Sequence, residues 1–187
     1  MNVVIRKLEE LNIDENFDSL LETMPEWRKE KIRRLKLTDD KRRSLGVGVL
    51  LNEAMEGLEN PGWAETDNGK PYVRNLPDFH FSLSHSGDYV MCVTDDKPCG
   101  CDVEKIEKVN KRVAKRVLSE AEYEKFVSTG DEILFFEFWT GKEAVIKAFD
   151  LGATVPLKEI DTLSEKYAGL LETKRTEDGY VYSVCSL

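Results

Sequence analysis

The stretch Cys99-Gly100-Cys101-Asp102-Val103-Glu104 constrains this chain more than any other. It is entered from Pro98, left into a charged segment, and alternates small or apolar residues with carboxylates. That pattern reads as a strand, in which successive side chains point to opposite faces. Cys99, Cys101 and Val103 then share one face. Gly100, Asp102 and Glu104 share the other, and the glycine leaves open space beside the two acids. Like charges two residues apart repel, so the arrangement needs a reason. One is a hard divalent cation such as Mg²⁺, which is held by one or two carboxylates together with substrate phosphates. The other is an edge strand with a solvated acidic face. The stretch alone leaves both open.

A chain of 187 residues with 41% hydrophobic content suits one compact domain or two small lobes. The charged fraction is 34%. No apolar run approaches the ~20 residues that span a bilayer. The N-terminus, MNVVIRKLEE, lacks the order of basic, apolar and small-residue segments found in a signal peptide. A cytoplasmic protein away from membranes is the expectation. Cys99 and Cys101 form C-x-C, and no second pair or nearby histidine completes a metal set. In a reducing compartment Cys92, Cys99, Cys101 and Cys185 read as small buried hydrophobes. The net charge of -9 argues against nucleic acid as a partner. Yet Glu26–Arg43 holds nine basic residues against four acidic ones, a local patch that suits a small anionic ligand.

Residues 2–8 read as a first strand, 14–23 as a short helix or loop, and 25–36 as a helix begun at Pro25. Thr38 reads as the N-cap of a helix from Asp39 to Leu58, with Asp39 and Asp40 in its first turn. Asn60-Pro61-Gly62 stops it, and Asp67-Asn68-Gly69-Lys70-Pro71 is a turn. Phe79–His85 alternates, with Phe79, Phe81 and Leu83 on one face and His80, Ser82 and Ser84 on the other. With Tyr89–Thr94 and Cys99–Glu104 it reads as a three-stranded antiparallel meander. Ser119 and Glu122 form a capping box that starts a helix to about Ser128, and Asp131 caps a longer one to about Phe149. Segments 159–162, 167–173 and 180–185 read as strands. The second half loosely repeats the first in element type. The fold class is α+β, two similar lobes with pseudo-twofold symmetry and antiparallel sheets packed with helices. Asp95–Pro98 divides residues 1–97 from 98–187.

On the long second-half helix, Glu143 and Lys147 lie four apart, one turn after Trp139. They read either as a surface ion pair or as a third carboxylate and an ammonium facing a phosphate. Ser84-His85 has no G-x-S-x-G elbow around it and does not make a hydrolase by itself. Lys70 sits on a rigid turn that could set a cation against a phosphate.

The motifs G-K-P, F-S-L-S-H-S, G-x-D-x-E and F-W-x-x-K-E-A-x-x-K, in that order over residues 30–155, resemble the 4'-phosphopantetheinyl transferases, in particular the pseudo-dimeric surfactin-type class. The resemblance implies an enzyme that moves the 4'-phosphopantetheine arm of coenzyme A onto a serine of an acyl or peptidyl carrier protein, releasing 3',5'-ADP, with Mg²⁺ and as a monomer. It implies Asp102, Glu104 and Glu143 as metal ligands. Lys31, Arg34 and Arg43 are implied at the adenosine 3'-phosphate, and Lys70, Ser84 and His85 as further coenzyme A contacts. Lys147 is implied near the pyrophosphate and Glu122 as another acidic residue of the catalytic site, with Glu143 the preferred base. C-G-C-D-V-E stands where I-G-I-D-I-E is commoner in that family, which changes neither carboxylate. The other readings are a non-catalytic module that binds coenzyme A or a carrier protein, and a Mg²⁺-dependent hydrolase of nucleotide pyrophosphates.

Overall fold

The structure is a computed structural model that describes residues 1–58, 60–152 and 154–187. Its first half runs β1 (Asn2–Lys7), α1 (Ile13–Glu22), α2 (Glu26–Arg34), α3 (Thr38–Ala54), β2 (Trp63–Glu65), β3 (Pro71–Val73), β4 (His80–Ser86) and β5 (Tyr89–Asp95). The second half runs β6 (Cys99–Lys105), α4 (Lys111–Val117), α5 (Glu120–Thr129), α6 (Glu132–Ala148), β7 (Leu171–Arg175) and β8 (Tyr180–Ser186).

Local signals set most of these boundaries. Asn110, Ser119 and Asp131 each accept a backbone N–H at the start of a helix, and Ser119 with Glu122 closes the capping box. Pro25 caps α2. Thr38 is the first residue of α3 rather than its cap, a position taken by Leu37, and α3 ends at Ala54, four residues before Leu58. Segment 159–162 is not a strand: 157–159 and 165–167 are short 3-10 turns, and the following strand starts only at Leu171.

The antiparallel meander does not form. β4 and β5 pair as expected, but the third place in their sheet is taken by β1, giving the order β1-β5-β4. β6 instead opens a second sheet, β6-β8-β7, with Asp102 opposite Ser183. Both sheets place their first, last and middle strands in the same order. Each packs on a 17-residue helix, α3 in one half and α6 in the other. This common plan is the α+β fold of two similar lobes.

The lobes meet through Met91 and Val93 of β5, Cys99, Cys101 and Val103 of β6, and Tyr180 and Val184 of β8, which form one buried cluster. All four cysteines are free and buried, and burial pushes their thiols up, Cys99 to about 12 and Cys101 to about 11. They are packing residues, and Cys99 and Cys101 form the inner side of β6. On its outer edge, β6 pairs with no strand among the described residues. The N–H groups of Cys101, Val103 and Lys105 are instead accepted by the hydroxyls of Ser82, Ser84 and Ser86 on β4, at 3.0, 3.3 and 3.2 Å. Alternate residues of a strand point their N–H groups to the same edge, so three serines at the same spacing satisfy all three.

Gly100 does not leave open space. A Cβ there would run into the carbonyl oxygen of Ala144 and the amide nitrogen of Ala148, so the room is filled by the backbone of α6. That close approach is what brings Glu143 and Lys147 over Asp102. Gly100→Ala should destabilise the protein by about 1–3 kcal/mol, because helix backbone cannot yield as a side chain would. Denaturant unfolding measures it, and an unchanged midpoint would contradict this seating of α6.

Candidate active site

Asp102 is buried at the centre of a polar knot. Its Oδ1 accepts from Ser84 Oγ at 2.7 Å and from Lys147 Nζ at 2.8 Å, while its Oδ2 is buried with no partner among the described residues. Lys147 Nζ also donates to the Cys101 carbonyl at 2.9 Å. Burial alone would lower the Lys147 ammonium, but the Asp102 carboxylate beside it leaves it raised, hence charged. Glu104, one step along the strand, accepts from Ser86 Oγ at 2.6 Å. Burial pushes the Glu104 carboxyl up, against the Ser86 hydrogen bond, and the Asp102 charge pushes the same way as burial. Glu143 is raised by burial and then by Asp102, with Lys147 opposing. Three carboxylates therefore share one field with a single ammonium among them.

Among the described residues, no three His, Cys, Asp or Glu side chains converge closely enough to hold a metal ion as they stand. The donor set nevertheless fits a hard divalent cation. Asp102 Oδ2 is an oxygen without a donor, and the carboxylates that repel one another around it are the ligand type such a cation takes.

Beside this knot lies a cavity of about 360 Å³ between the lobes, lined by Arg28 and Lys31 of α2, the Gly69-Lys70-Pro71 turn, and Glu143 and Lys147 of α6. Ile146, Val155 and Leu157 give it an apolar wall. A second pocket of about 210 Å³ shares Arg28, Lys31, Leu83 and Lys147 with it and adds Ser44 and His85. The cationic part of the cavity therefore adjoins this smaller pocket, and the apolar wall does not.

Two residues here carry no role in the sequence motifs, although Arg28 belongs to the basic patch of Glu26–Arg43. Arg28 is 4% exposed and donates from Nε and Nη2 to the Ser44 carbonyl. Burial lowers its guanidinium to about 10, still fully charged at neutral pH. Ser44 is buried and its hydroxyl has no partner among the described residues. An i, i+3 spacing from Lys31 was the available signal for Arg28, because it puts both cations on one face of α2. Nothing local marks Ser44.

The residues expected at an anion are spread unevenly. Lys31 lines both pockets. Arg34 faces solvent, paired with Glu30 at 3.1 Å, and lines an outer depression it shares with Lys31. Arg43 is paired with Asp40 at 2.6 Å and borders a third depression. Lys70 lines the cavity, but its Nζ donates to the Cys99 carbonyl at 2.9 Å and to the Lys147 carbonyl at 2.5 Å. It thereby caps the C-terminal end of α6 from the other lobe. Ser84 is committed to Asp102 and to Val103 N–H. Glu122 does not line the cavity; it is held in a fully buried ion pair with Lys142 of α6 at 2.6 Å.

His85, on the face of β4 opposite the serines, has a pKa lowered from the ordinary 6.5 to about 4. Partial burial is the first cause, followed by the charges of Arg43, Arg28, Lys147 and Lys31. The ring is exposed enough for solvent to screen part of this. Between pH 6.5 and about 4 the unfolded chain takes up a proton that the folded one refuses, so stability falls as pH falls through that window. An anion among these cations would reverse the field. Inorganic phosphate should therefore move the His85 imidazole titration, followed by NMR, to higher pH. A titration curve indifferent to phosphate would remove this pocket as an anion site.

Comparison with known proteins adds to this geometry. The 4'-phosphopantetheinyl transferase superfamily matches residues 98–185, and the 4'-phosphopantetheinyl transferase N-terminal family matches residues 12–97. The chain is similar to the 4'-phosphopantetheinyl transferase psf-1 of Bacillus pumilus, with 32% identity over 163 residues, 83% of this chain and 70% of the relative. It is also similar to a 4'-phosphopantetheinyl transferase of Bacillus subtilis, 33% identical over 148 residues, 75% of this chain and 66% of the relative. With the transferase Sfp of Bacillus subtilis strain 168 it shares 29% identity over 199 residues, 94% of this chain and 87% of that one.

Proposed function

Because the chain belongs to the 4'-phosphopantetheinyl transferase superfamily, we propose that it transfers the 4'-phosphopantetheine arm of coenzyme A to a serine of an acyl or peptidyl carrier protein. The carrying observation is the inter-lobe cavity, where buried Arg28, exposed Lys31 and half-buried Lys147 line the same walls as Glu143, with Lys147 paired to Asp102.

The serine oxygen attacks the β-phosphorus of coenzyme A, the bond from that phosphorus to the bridging oxygen breaks, and 3',5'-ADP leaves. Lys147, kept charged by Asp102, offsets the negative charge that builds on the pyrophosphate oxygens. Glu143 lines the cavity, and its carboxylate, raised by burial and by Asp102, suits the base that accepts the serine proton. Asp102, Glu104 and Glu143 would hold Mg²⁺, which supplies Lewis-acid neutralisation of the phosphate oxygens. Arg28, Lys31, Ser44 and His85 suit the adenosine 3'-phosphate, with Arg34 and Arg43 on the outer approach. Lys70 and Ser84 build the walls through their bonds to Cys99, Lys147 and Asp102. Lys111, Arg112, Lys115 and Arg116 on α4, around the exposed Val113, suit docking of an acidic carrier. Two similar lobes in one chain suit a monomer, and four free buried cysteines suit the cytoplasm.

Incubation with coenzyme A, Mg²⁺ and an apo carrier protein tests this reading by mass spectrometry. The phosphopantetheine mass increment on the carrier serine is expected. Coenzyme A cleavage without a carrier would instead make the chain a hydrolase, and binding with neither would leave a binding module.

A further inference from the structure

Lys142 belongs to the W-x-x-K-E-A-x-x-K run but takes no part in the chemistry above. It is 0% exposed, and its three N–H donors are all used: on Glu122 Oε2, on the Leu157 carbonyl at 3.1 Å, and on the Ile160 carbonyl. Glu122 is equally committed. Beyond Lys142 it accepts from Ser119 N–H at 2.8 Å, Thr162 N–H at 2.9 Å and Thr162 Oγ1 at 2.7 Å. A carboxylate with its acceptor sites filled in this way has no room for a metal or a substrate proton. Ser119 Oγ adds a bond to Asp161. The pair therefore holds the strap 157–162 at several points across its length, and that strap brings Leu157 into the cavity wall with Val155 and Ile146.

We infer that the buried Glu122–Lys142 pair is a positioning device for the apolar wall of the cavity, and so sets how the pantetheine arm of coenzyme A is seated. The inference rests on the transferase reading. Glu122 and Lys142 do not touch substrate. They act through Leu157, on the part of the cavity that the cationic pocket does not share. The adenosine bisphosphate end of the ligand lies outside their influence.

The ligand divides the two roles. Titration calorimetry with coenzyme A and with 3',5'-ADP, which lacks the arm, is carried out on wild type, on Glu122→Gln combined with Lys142→Met, and on Thr162→Val. The double substitution removes both charges together, and Thr162→Val removes one hydrogen bond at constant shape, so the second variant carries the test if the first does not fold. Coenzyme A affinity should fall about tenfold in the double variant and about threefold in Thr162→Val. Affinity for 3',5'-ADP should stay within about twofold of wild type. In steady-state transfer, KM for coenzyme A should rise while kcat holds within about threefold. Equal losses for both ligands, or no loss for either, would overturn the positioning role. Wild-type protein that binds neither ligand would overturn the transferase reading, and this inference with it.

Discussion

Asp102→Asn should lower phosphopantetheine transfer by about 10²-fold or more while leaving the protein folded. Asparagine keeps an oxygen where Ser84 Oγ and Lys147 Nζ now donate, so the knot retains its hydrogen bonds. What it loses is the charge that raises Lys147 and repels Glu104 and Glu143. Removing that repulsion offsets part of the lost ion pair, so the unfolding midpoint should move little. The chemistry has no such compensation, because a cation and a developing phosphate charge both need the carboxylate field as it stands. Single-turnover transfer to an apo carrier measures the first effect and thermal unfolding the second. Wild-type turnover in this variant would remove Asp102 from the site.

Lys142→Met should destabilise the fold by about 3–5 kcal/mol, because it leaves the Glu122 carboxylate buried without its cation. The three remaining donors, from Ser119 and Thr162, cannot balance a full charge. Adding Glu122→Gln should recover about half of that loss, since a neutral amide carries a far smaller desolvation penalty than an unpaired charge. Urea unfolding of the two variants gives the comparison. If the double variant is no more stable than Lys142→Met, the damage comes from the bare Leu157 and Ile160 carbonyls and not from the stranded charge.

Much of this molecule was written locally. A cap needs only a short polar side chain just ahead of the first-turn N–H it accepts, so Ser119, Asp131 and the ends of α5 and α6 were legible. Alternation in β4 and β6 needs only a period of two, so their faces were legible as well. The motif carboxylates Asp102, Glu104 and Glu143 could be named from spacing and resemblance. The strands at the end of the chain were less clear, because polar turns and 3-10 segments interrupt any period.

Partner choice was not written locally. β6 and β5 are neighbours in sequence, and a tight turn joins them, yet β6 pairs with β8, and β4 reaches its backbone N–H groups through three serine hydroxyls and not through a strand ladder. Strand alternation states which face is buried, not which strand lies alongside. Lys70 and Lys147 likewise read as free cations aimed at phosphate, and both turn out to be tied to backbone carbonyls of another element.

The sequence by itself determined that Cys99–Glu104 is a strand with two carboxylates on one face and a glycine beside them. Only the tertiary structure decided what that glycine is for. The missing side chain admits the backbone of α6, and through that contact Glu143 and Lys147 reach Asp102. Spacing along a chain fixes direction within one element. The distance between two elements is fixed by the atoms that keep them apart, and at Gly100 there are none.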